Sequence, residues 1–454
     1  MLFQRLRRRL HSGRGLKPTR IVAGFFAFQI LLGTLLLTLP VSARSGESVG
    51  VLNALFTATS ATCVTGLVVV DTWQTWTLFG QAVILCLIQL GGLGVMTFVT
   101  LASLALGRRI GLSQRLLMVS TMNLSNMDGV VRVVRYALTG TFLMEGIGAV
   151  ILAACFIPDF GFFKGVWYGI FHSVSAFCNA GFDLLGQNGP FRSLADYGGH
   201  PLALFTIMVL IVTGGLGFAV WYDLGKNRNW KGLSPYSKLV LGMTAFLIVG
   251  GAIFFLTAEG GNPATLGGMK WWEKGLNALF QSVTLRTAGF AVIDQAGLKD
   301  SSLVFSILLM LVGGSSGSTA GGMKTATVAI LFLALWSGLQ GREAVTLRGR
   351  SISHRRVMDA LTLFLAVTVL FLAGSMLLSL MDGLPYLQCA FEVGSALGTV
   401  GLSTGLTPGL SGLSQGLLIL LMYLGRVGPL SLAIAMMSRQ SSPVKYPTFE
   451  VMIG

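Results

Sequence analysis

The sequence predicts an all-α polytopic membrane protein with eight transmembrane spans, arranged as four parallel repeats of span, short helix and span around a pseudo-fourfold axis. Three observations predict this class: scarce charge, eight long apolar stretches, and four short apolar runs between them. Only 11% of the 454 residues are charged, 53% are hydrophobic, and the mean hydropathy is +0.75. Because soluble domains carry about 25% charged residues, an ordinary water-exposed surface is excluded.

The long apolar stretches meet the roughly 20 residues that a helix needs to cross a bilayer. They cover residues 21–40, 78–106, 136–157, 202–222, 239–257, 303–340, 357–381 and 413–437. The first stretch follows a basic segment, as in a secretory signal, but it exceeds the roughly 7–15 apolar residues of such a signal. We therefore expect an uncleaved first helix.

The basic residues indicate the orientation of the chain. They concentrate in the N-terminal segment 1–20, in the loops after the second, fourth and sixth spans, and in the tail 439–454. Eight crossings put all these segments on one side of the membrane, and excess Lys and Arg mark the cytoplasmic side. Both termini are therefore predicted to be cytoplasmic. The net charge of +15 is explained by topology, and nucleic-acid binding is not expected.

Four short apolar runs lie in the other loops, at residues 51–65, 166–180, 275–288 and 386–400. Runs of this length cannot cross the bilayer, so we expect re-entrant segments that protein or water surrounds. Each contains a motif that begins at a Phe and leads, nine or ten residues later, to a Gly followed by an apolar residue. The predicted divisions are a basic N-terminal segment (1–20), repeats at 21–107, 133–225, 236–341 and 354–438, and a C-terminal tail (439–454).

The four glycine-ended loops predict a cation filter. Glycine permits the backbone angles that aim carbonyl groups inward, and rings of carbonyls replace the hydration shell of an ion in potassium filters. One such glycine would favour simple packing, whereas four at matched positions favour a filter. The predicted filter residues, with a monovalent cation as the only metal ion, are Val64, Thr65, Gly66, Asn179, Ala180, Gly181, Thr287, Ala288, Gly289, Thr399, Val400 and Gly401.

The sixth apolar stretch is too long for one crossing, and a Gly/Ser-rich run interrupts it. Irregular backbone at membrane depth must be enclosed by protein, so we expect this run beneath the filter, where it could block ions. Gly317 and Gly322 have the spacing of a nucleotide-binding loop, but Met323 intervenes before Lys324 and no strand precedes the run, which excludes that motif. The predicted gate in segment 313–324 consists of Gly313, Gly314, Ser315, Ser316, Gly317, Ser318, Thr319, Gly321, Gly322 and Lys324.

Several charged residues lie near these segments. Asp71, Asp183 and Asp294 follow filter glycines, where they either concentrate cations or are solvated loop residues. Inside spans, Glu145 and Arg426 each need a partner or water, because charge in lipid is expensive. For Arg426 a structural bridge between helices is the alternative. Two further charges lie in the short runs: Glu392 is expected to support its helix, and Arg286 to point away from the ions.

Four phrases carry a family resemblance: FTATSATCVTGLVVVDT, SAFCNAGFDLLG, TLRTAGF and LGTVGLSTG. Over nearly its whole length the chain resembles the Ktr/Trk/HKT superfamily of potassium transporters. Because the first repeat begins near residue 20, it is most similar to the membrane, ion-translocating subunit of bacterial Ktr systems. The resemblance implies potassium selectivity, an intramembrane gating loop in the third repeat, and Arg426 as part of that gate.

The resemblance further implies a bacterial inner-membrane protein that is a homodimer on a cytosolic ring of nucleotide-binding regulatory subunits. The basic loops or the tail could contact that ring, or could meet anionic membrane lipid. The expected function is potassium uptake, with Na⁺ as a coupling or activating ion and no cofactor in this chain. The alternative is a gradient-driven secondary transporter of another cation or small solute, although such carriers often use inverted repeats. An enzyme is not expected, because the four histidines are scattered and no nucleophile–base pair is recognisable.

Overall fold

The computed structural model describes residues 18–105, 130–227, 229–342, 344–347 and 350–428. Most of the predicted N-terminal segment, part of the loop after the second span, the end of the eighth span and the whole tail 439–454 lie outside these residues. Among the described residues the regular secondary structure is helical, apart from one pair of two-residue strands.

The helices follow one another in a regular order of long, short and interrupted elements. In chain order they are α1 (Pro18–Thr38), α2 (Val51–Cys63), α3 (Thr72–Thr75), α4 (Leu78–Ala105), α5 (Val130–Phe160), α6 (Phe162–Cys178), α7 (Pro201–Gly215), α8 (Phe218–Lys226), α9 (Pro235–Glu259), α10 (Trp271–Thr284), α11 (Asp300–Leu311), α12 (Thr325–Leu339), α13 (His354–Asp382), α14 (Tyr386–Gly398) and α15 (Gly412–Val427). Short 3₁₀ helices lie at Pro40–Ser42, Gly186–Asn188, Ala195–Tyr197, Trp230–Gly232 and Thr407–Gly409.

The helices α1, α5, α9 and α13 are long and apolar enough to cross a membrane. Each is followed by one of the short helices α2, α6, α10 and α14, against which it packs. The short helices end in the interior of the protein. All residues of α14 from Cys389 onward are buried, and so are the last eight residues of α2. The long helices expose apolar side chains and the ends of the short helices are buried, as is typical of a membrane bundle.

The helix that follows each glycine loop is interrupted or ends at a glycine. Gly94 breaks α4 with φ of 73°, and Gly217, with φ of 87°, separates α7 from α8, whose axes differ by 97°. The chain between α11 and α12 is not helical, and α15 ends at Gly428 with φ of 89°. These φ values lie in the left-handed region, where a side chain is costly, and they end or break the helices.

The expectation of an all-α chain holds, with one small addition. After α12 the strands β1 (Thr346–Leu347) and β2 (Arg350–Ser351) pair antiparallel. Two residues on each strand form a ladder too short for a hydropathy pattern to signal.

Candidate functional site

The four segments that follow the short helices share one backbone conformation. A residue other than glycine adopts the left-handed conformation two positions before a glycine of positive φ in all four: Val64 (57°) before Gly66 (95°), Asn179 (61°) before Gly181 (68°), Thr287 (66°) before Gly289 (82°), and Thr399 (51°) before Gly401 (97°). Such a conformation costs a side-chain-bearing residue about 1–2 kcal/mol. Its recurrence at the predicted filter segments 64–66, 179–181, 287–289 and 399–401 is therefore imposed by the surroundings.

The four glycines touch one another in a closed cycle. A Cβ atom added to any of them would collide with the carbonyl oxygen that precedes the next glycine: Gly66 with Ala180, Gly181 with Ala288, Gly289 with Val400, and Gly401 with Thr65. The cycle runs in chain order and returns from the fourth segment to the first. Only glycine fits these four places, and the structure thus brings all twelve predicted filter residues to one point. We call this arrangement the glycine ring.

A buried hydroxyl braces each segment of the glycine ring from behind. In the first and fourth segments it accepts from the glycine N–H: Ser60 Oγ from Gly66 and Ser395 Oγ from Gly401, both at 3.0 Å. In the other two it donates to the carbonyl that follows the glycine, at 2.7 Å: Ser175 to Phe182 and Thr284 to Phe290. Sequence reasoning missed this role, although a Ser or Thr five or six residues before each glycine was a usable signal.

The Gly/Ser run between α11 and α12, residues 312–324, forms an irregular loop that we call the intramembrane loop. Its two ends meet, because the Gly313 N–H donates to the Met323 carbonyl at 2.8 Å. The Ser315 N–H donates to the Gly215 carbonyl at 2.9 Å, and the Phe218 N–H to the Gly317 carbonyl at 3.0 Å. The bend between α7 and α8 therefore holds the loop through backbone hydrogen bonds. All ten predicted gate residues of segment 313–324 lie in this loop.

The intramembrane loop lies directly against the base of the glycine ring. The Thr319 hydroxyl is 3.1 Å from the Phe177 carbonyl oxygen and 3.3 Å from Asn179 Oδ1. On the other side, a Cβ atom at Gly321 would collide with the Thr399 hydroxyl. The loop therefore contacts the residues that begin the second and fourth segments.

Arg426 reaches the same loop from α15. Its Nη1 donates to the Thr319 carbonyl, and its Nη2 donates to the carbonyls of Gly91, at 2.6 Å, and Gly92, at 3.3 Å. The guanidinium thus ties the loop to the glycine-rich part of α4 through three backbone oxygens. Lys324 instead folds back on its own loop, where Nζ donates to the Ala320 carbonyl at 2.8 Å.

The partner of Glu145, which the sequence leaves open, is Gln89 of α4. Gln89 Nε2 donates to both carboxylate oxygens at 3.1 Å, and Cys178 Sγ lies 3.8 Å from one of them. Arg286 is buried, and it lines a small cavity with Ile211, Val212, Gly215, Val283 and Gly314.

The three acidic loop residues differ in their surroundings. Asp71 caps α3 by accepting from the Gln74 N–H at 2.8 Å, and its other oxygen accepts from the Phe191 N–H at 2.9 Å. Asp183 accepts from the Leu185 N–H at 3.0 Å. Burial, and secondarily the nearby Asp71 carboxylate, raise the pKa of Asp183 to about 7. Asp294 accepts from the nearby Ala296 N–H at 2.9 Å.

Among the residues that the structure describes, no three His, Cys, Asp or Glu side chains come close enough to hold a metal ion together. The glycine ring instead brings together the backbone carbonyl oxygens of Thr65, Ala180, Ala288 and Val400.

Comparison with known proteins places these features in a family. The family described as "TrkH: Cation transport protein" matches residues 17–444. The chain is 41% identical to the potassium/sodium uptake protein NtpJ of Enterococcus hirae over the full length of both chains. It is 38% identical to the Ktr system potassium uptake protein B of Bacillus subtilis, over 96% of this chain and 97% of that protein.

A solved structure supports the same fold. The crystal structure of the potassium transporter TrkH from Vibrio parahaemolyticus superposes with a TM-score of 0.71 at 20% identity, covering 94% of this chain and 86% of that one. Together with the match over residues 17–444, these likenesses show that the chain belongs to the TrkH/Ktr family of membrane cation transport proteins, a family of transporters and not of enzymes.

Proposed function

We propose that the protein takes up potassium across the bacterial inner membrane, through a carbonyl-lined filter that an intramembrane loop gates. The observation that carries the proposal is the closed cycle of the four glycines, in which each glycine abuts the carbonyl that precedes the next. Four loops of one backbone conformation around one axis form a coordination site for a dehydrated monovalent cation. The names of the relatives, which include potassium uptake proteins, agree with this cation.

The filter in this proposal is formed by the backbone carbonyls of segments 64–66, 179–181, 287–289 and 399–401. The intramembrane loop and Arg426 form the gate. The loop lies against the base of the glycine ring, and Thr319 forms hydrogen bonds with three other parts of the chain. Its N–H donates to the Gly214 carbonyl, and its hydroxyl lies within hydrogen-bond distance of the Phe177 carbonyl and Asn179 Oδ1. Its carbonyl accepts from Arg426. A loop held in this way obstructs the path below the ring until these bonds are released.

The arrangement in the membrane follows from the same proposal. The four long helices, the four interrupted helices and the buried short helices correspond to eight crossings in four parallel repeats, with both termini in the cytoplasm. Parallel repeats favour a pore over an alternating-access carrier, for which inverted repeats are common. We propose further that the chain forms a homodimer on a cytosolic ring of nucleotide-binding regulatory subunits, because several relatives are components of Ktr systems.

Uptake in cells that lack their own potassium uptake systems tests this function. The wild type is expected to restore growth at low potassium and to accumulate rubidium. Gly401→Ser should lower uptake and discrimination against Na⁺, because a side chain at φ of 97° collides with the Thr65 carbonyl. Gly409→Ser, in the segment between the fourth glycine loop and α15, is the matched control. Nothing lies within 4 Å of the position that its Cβ would occupy. Absence of alkali-cation uptake by a wild type present in the membrane would refute the function.

Sodium dependence needs a separate measurement. One relative is named a potassium/sodium uptake protein, so Na⁺ is proposed as a coupling or activating ion. Initial rates of rubidium uptake should rise when NaCl replaces choline chloride. Accumulation of ²²Na⁺ alongside rubidium would favour coupling, and stimulation without it would favour activation. Uptake independent of Na⁺ would remove Na⁺ from the proposal, and uptake of another cation with exclusion of rubidium would favour the alternative transporter.

A further inference from the structure

Four buried polar side chains occupy one matched position in the short helices, directly after the Phe that begins each motif. They are Thr57, His172, Gln281 and Glu392, and none is more than 1% exposed. Polar groups in such surroundings are costly unless they form hydrogen bonds. Their partners therefore indicate what the position does.

Glu392 accepts four hydrogen bonds from the segment that leaves the glycine ring. Its Oε1 accepts from Ser403 Oγ at 2.8 Å, from the Thr404 N–H at 2.8 Å and from Thr404 Oγ1 at 3.0 Å. Its Oε2 accepts from Thr407 Oγ1 at 2.6 Å. Ionised acceptors form the stronger class of hydrogen bond, so this carboxylate ties the segment firmly to α14.

Gln281 and His172 make the equivalent connection in their own repeats. Gln281 Nε2 donates to Gln295 Oε1 at 2.7 Å, and Gln295 Nε2 donates back to Gln281 Oε1 at 3.2 Å. His172 Nδ1 lies 2.8 Å from the Tyr168 carbonyl, to which it donates, so Nε2 is left to accept from the Leu184 N–H at 3.4 Å.

The partners lie at repeated distances from the filter glycines. Leu184 and Thr404 are three residues after their glycines, and Gln295 and Thr407 are six residues after theirs. Three repeats thus fasten the same part of the outgoing segment to the helix behind it. The first repeat differs, because Thr57 Oγ1 has no hydrogen-bond partner among the residues that the structure describes.

We propose that His172, Gln281 and Glu392, which we call the collar, are positioning residues that set cation discrimination by fixing the outgoing segments of three filter loops. This inference rests on the proposed function of the glycine ring. Selectivity depends on where carbonyl oxygens are held and how freely they move, so a loosened segment accommodates the smaller Na⁺ as well. Glu392 should have the largest effect on discrimination, because it forms the most hydrogen bonds to its outgoing segment, followed by Gln281 and then His172.

A charge effect is the competing explanation for Glu392, since a carboxylate near a filter also attracts cations. Glu392→Gln separates the two, because the amide keeps one acceptor oxygen for the Ser403 and Thr404 donors and removes the charge. Glu392→Leu removes all four hydrogen bonds at similar volume. Thr57→Val is the matched control: it occupies the same position of the motif in the first repeat, is nearly isosteric, and breaks no hydrogen bond that the structure describes.

The experiment measures initial uptake of rubidium and, in the absence of K⁺ and Rb⁺, of ²²Na⁺ in cells without their own potassium uptake, with the amount of each variant in the membrane determined by immunoblot. Glu392→Leu should lower discrimination between Rb⁺ and Na⁺ by at least about tenfold, and Glu392→Gln by no more than about threefold. Thr57→Val should leave it unchanged. Unaltered discrimination in Glu392→Leu would overturn the collar, and equal losses in the Gln and Leu variants would assign the effect to charge and overturn it as well.

If Glu392→Leu does not reach the membrane, variants of the Gln281–Gln295 pair test the collar instead. Gln281→Leu and Gln295→Leu should each lower discrimination, and the double variant no further than the worse single one, because both remove the same connection. Additive effects, or none, would overturn the collar. A wild type without rubidium uptake would instead refute the proposed function, on which the collar depends, whereas normal wild-type uptake with unchanged variants refutes the collar alone.

Discussion

The hydroxyl of Thr319 in the intramembrane loop lies 3.3 Å from Oδ1 of Asn179, the left-handed residue that begins the second segment of the glycine ring. Both side chains are buried, and Asn179 Nδ2 extends the connection by donating to the Arg286 carbonyl at 3.4 Å. The proposed gate and the proposed filter therefore share a hydrogen bond. Moving the loop away from the ring must break it, so we expect opening of the proposed gate to be coupled to the conformation of the proposed filter.

Replacing Thr319 by Val should raise the potassium flux. The change is nearly isosteric, but it removes the hydrogen bonds to Phe177 and Asn179 and so favours the displaced loop by about 1 kcal/mol, which corresponds to an increase of about fivefold in its population. The measurement is the initial rate of rubidium uptake per amount of protein in the membrane.

Ser318→Ala is the control for Thr319→Val. Its hydroxyl donates to the Ser315 carbonyl at 2.7 Å, which lies within the loop and does not connect it to the ring. We expect a flux close to that of the wild type. A flux that falls in Thr319→Val, while the protein remains folded in the membrane, would contradict the assignment of the loop as a barrier.

Replacing Gly181 by Ala should impair both stability and transport. At φ of 68° an alanine costs about 1–2 kcal/mol, and its Cβ would also press against the Ala288 carbonyl. We expect a lower thermal midpoint of the purified protein in detergent and reduced rubidium uptake. Gly250→Ala in α9 is the comparison, because its Cβ meets nothing within 4 Å and alanine favours helix by up to about 1 kcal/mol. Equal behaviour of the two variants would argue against a steric limit at the ring.

The affinity for potassium should depend on pH through Asp183. Its pKa of about 7 means that the carboxyl is mostly neutral at pH 6 and mostly charged at pH 8. Because a negative charge near the filter concentrates cations, the KM for rubidium should fall as the pH rises from 6 to 8.

Asp183→Asn should remove most of this pH dependence, with a KM at every pH near that of the wild type at pH 6. The variant also relieves repulsion with Asp71, the group that assists burial in raising the pKa. An unchanged pH profile in Asp183→Asn would show that another group is responsible.

Replacing Gln89 and replacing Glu145 should lower the stability of the protein by different amounts. Gln89→Leu leaves the buried Glu145 carboxylate without the amide that donates to both of its oxygens, and should lower the free energy of unfolding by about 2–3 kcal/mol. Glu145→Gln allows an amide–amide pair and should cost much less. The measurement is the thermal midpoint in detergent.

Adding Glu145→Leu to Gln89→Leu should recover part of the loss, because two apolar side chains leave no buried polar group without a partner. A double variant less stable than Gln89→Leu alone would show that Glu145 has a stabilising contact besides Gln89, for which Cys178 is the candidate at 3.8 Å. Rubidium uptake by the same proteins would then show whether that partner belongs to the transport path.

The short helices and their glycines could be located from sequence because their signals are local. A Phe, a run too short to cross the bilayer and a Gly recur at each repeat, and the helices do lie there. The Gly/Ser run at 313–322 interrupts an apolar stretch in the sequence and separates α11 from α12 in the structure. The partner of Glu145 could not be found this way, because Gln89 is 56 residues away and one of many polar residues in the chain.

The sequence by itself therefore determined the class of the protein, its apolar helices and the four matched glycines, because composition and spacing record what lipid and a left-handed backbone require. Only the tertiary structure decided which groups meet: the order of contacts around the glycine ring, the hydroxyls behind it, the junction of Thr319 with Asn179 and Arg426, and the anchoring of the outgoing segment by Glu392. These contacts join residues far apart in the chain, and they form only when the helices pack and leave each buried polar group to find a partner within the protein.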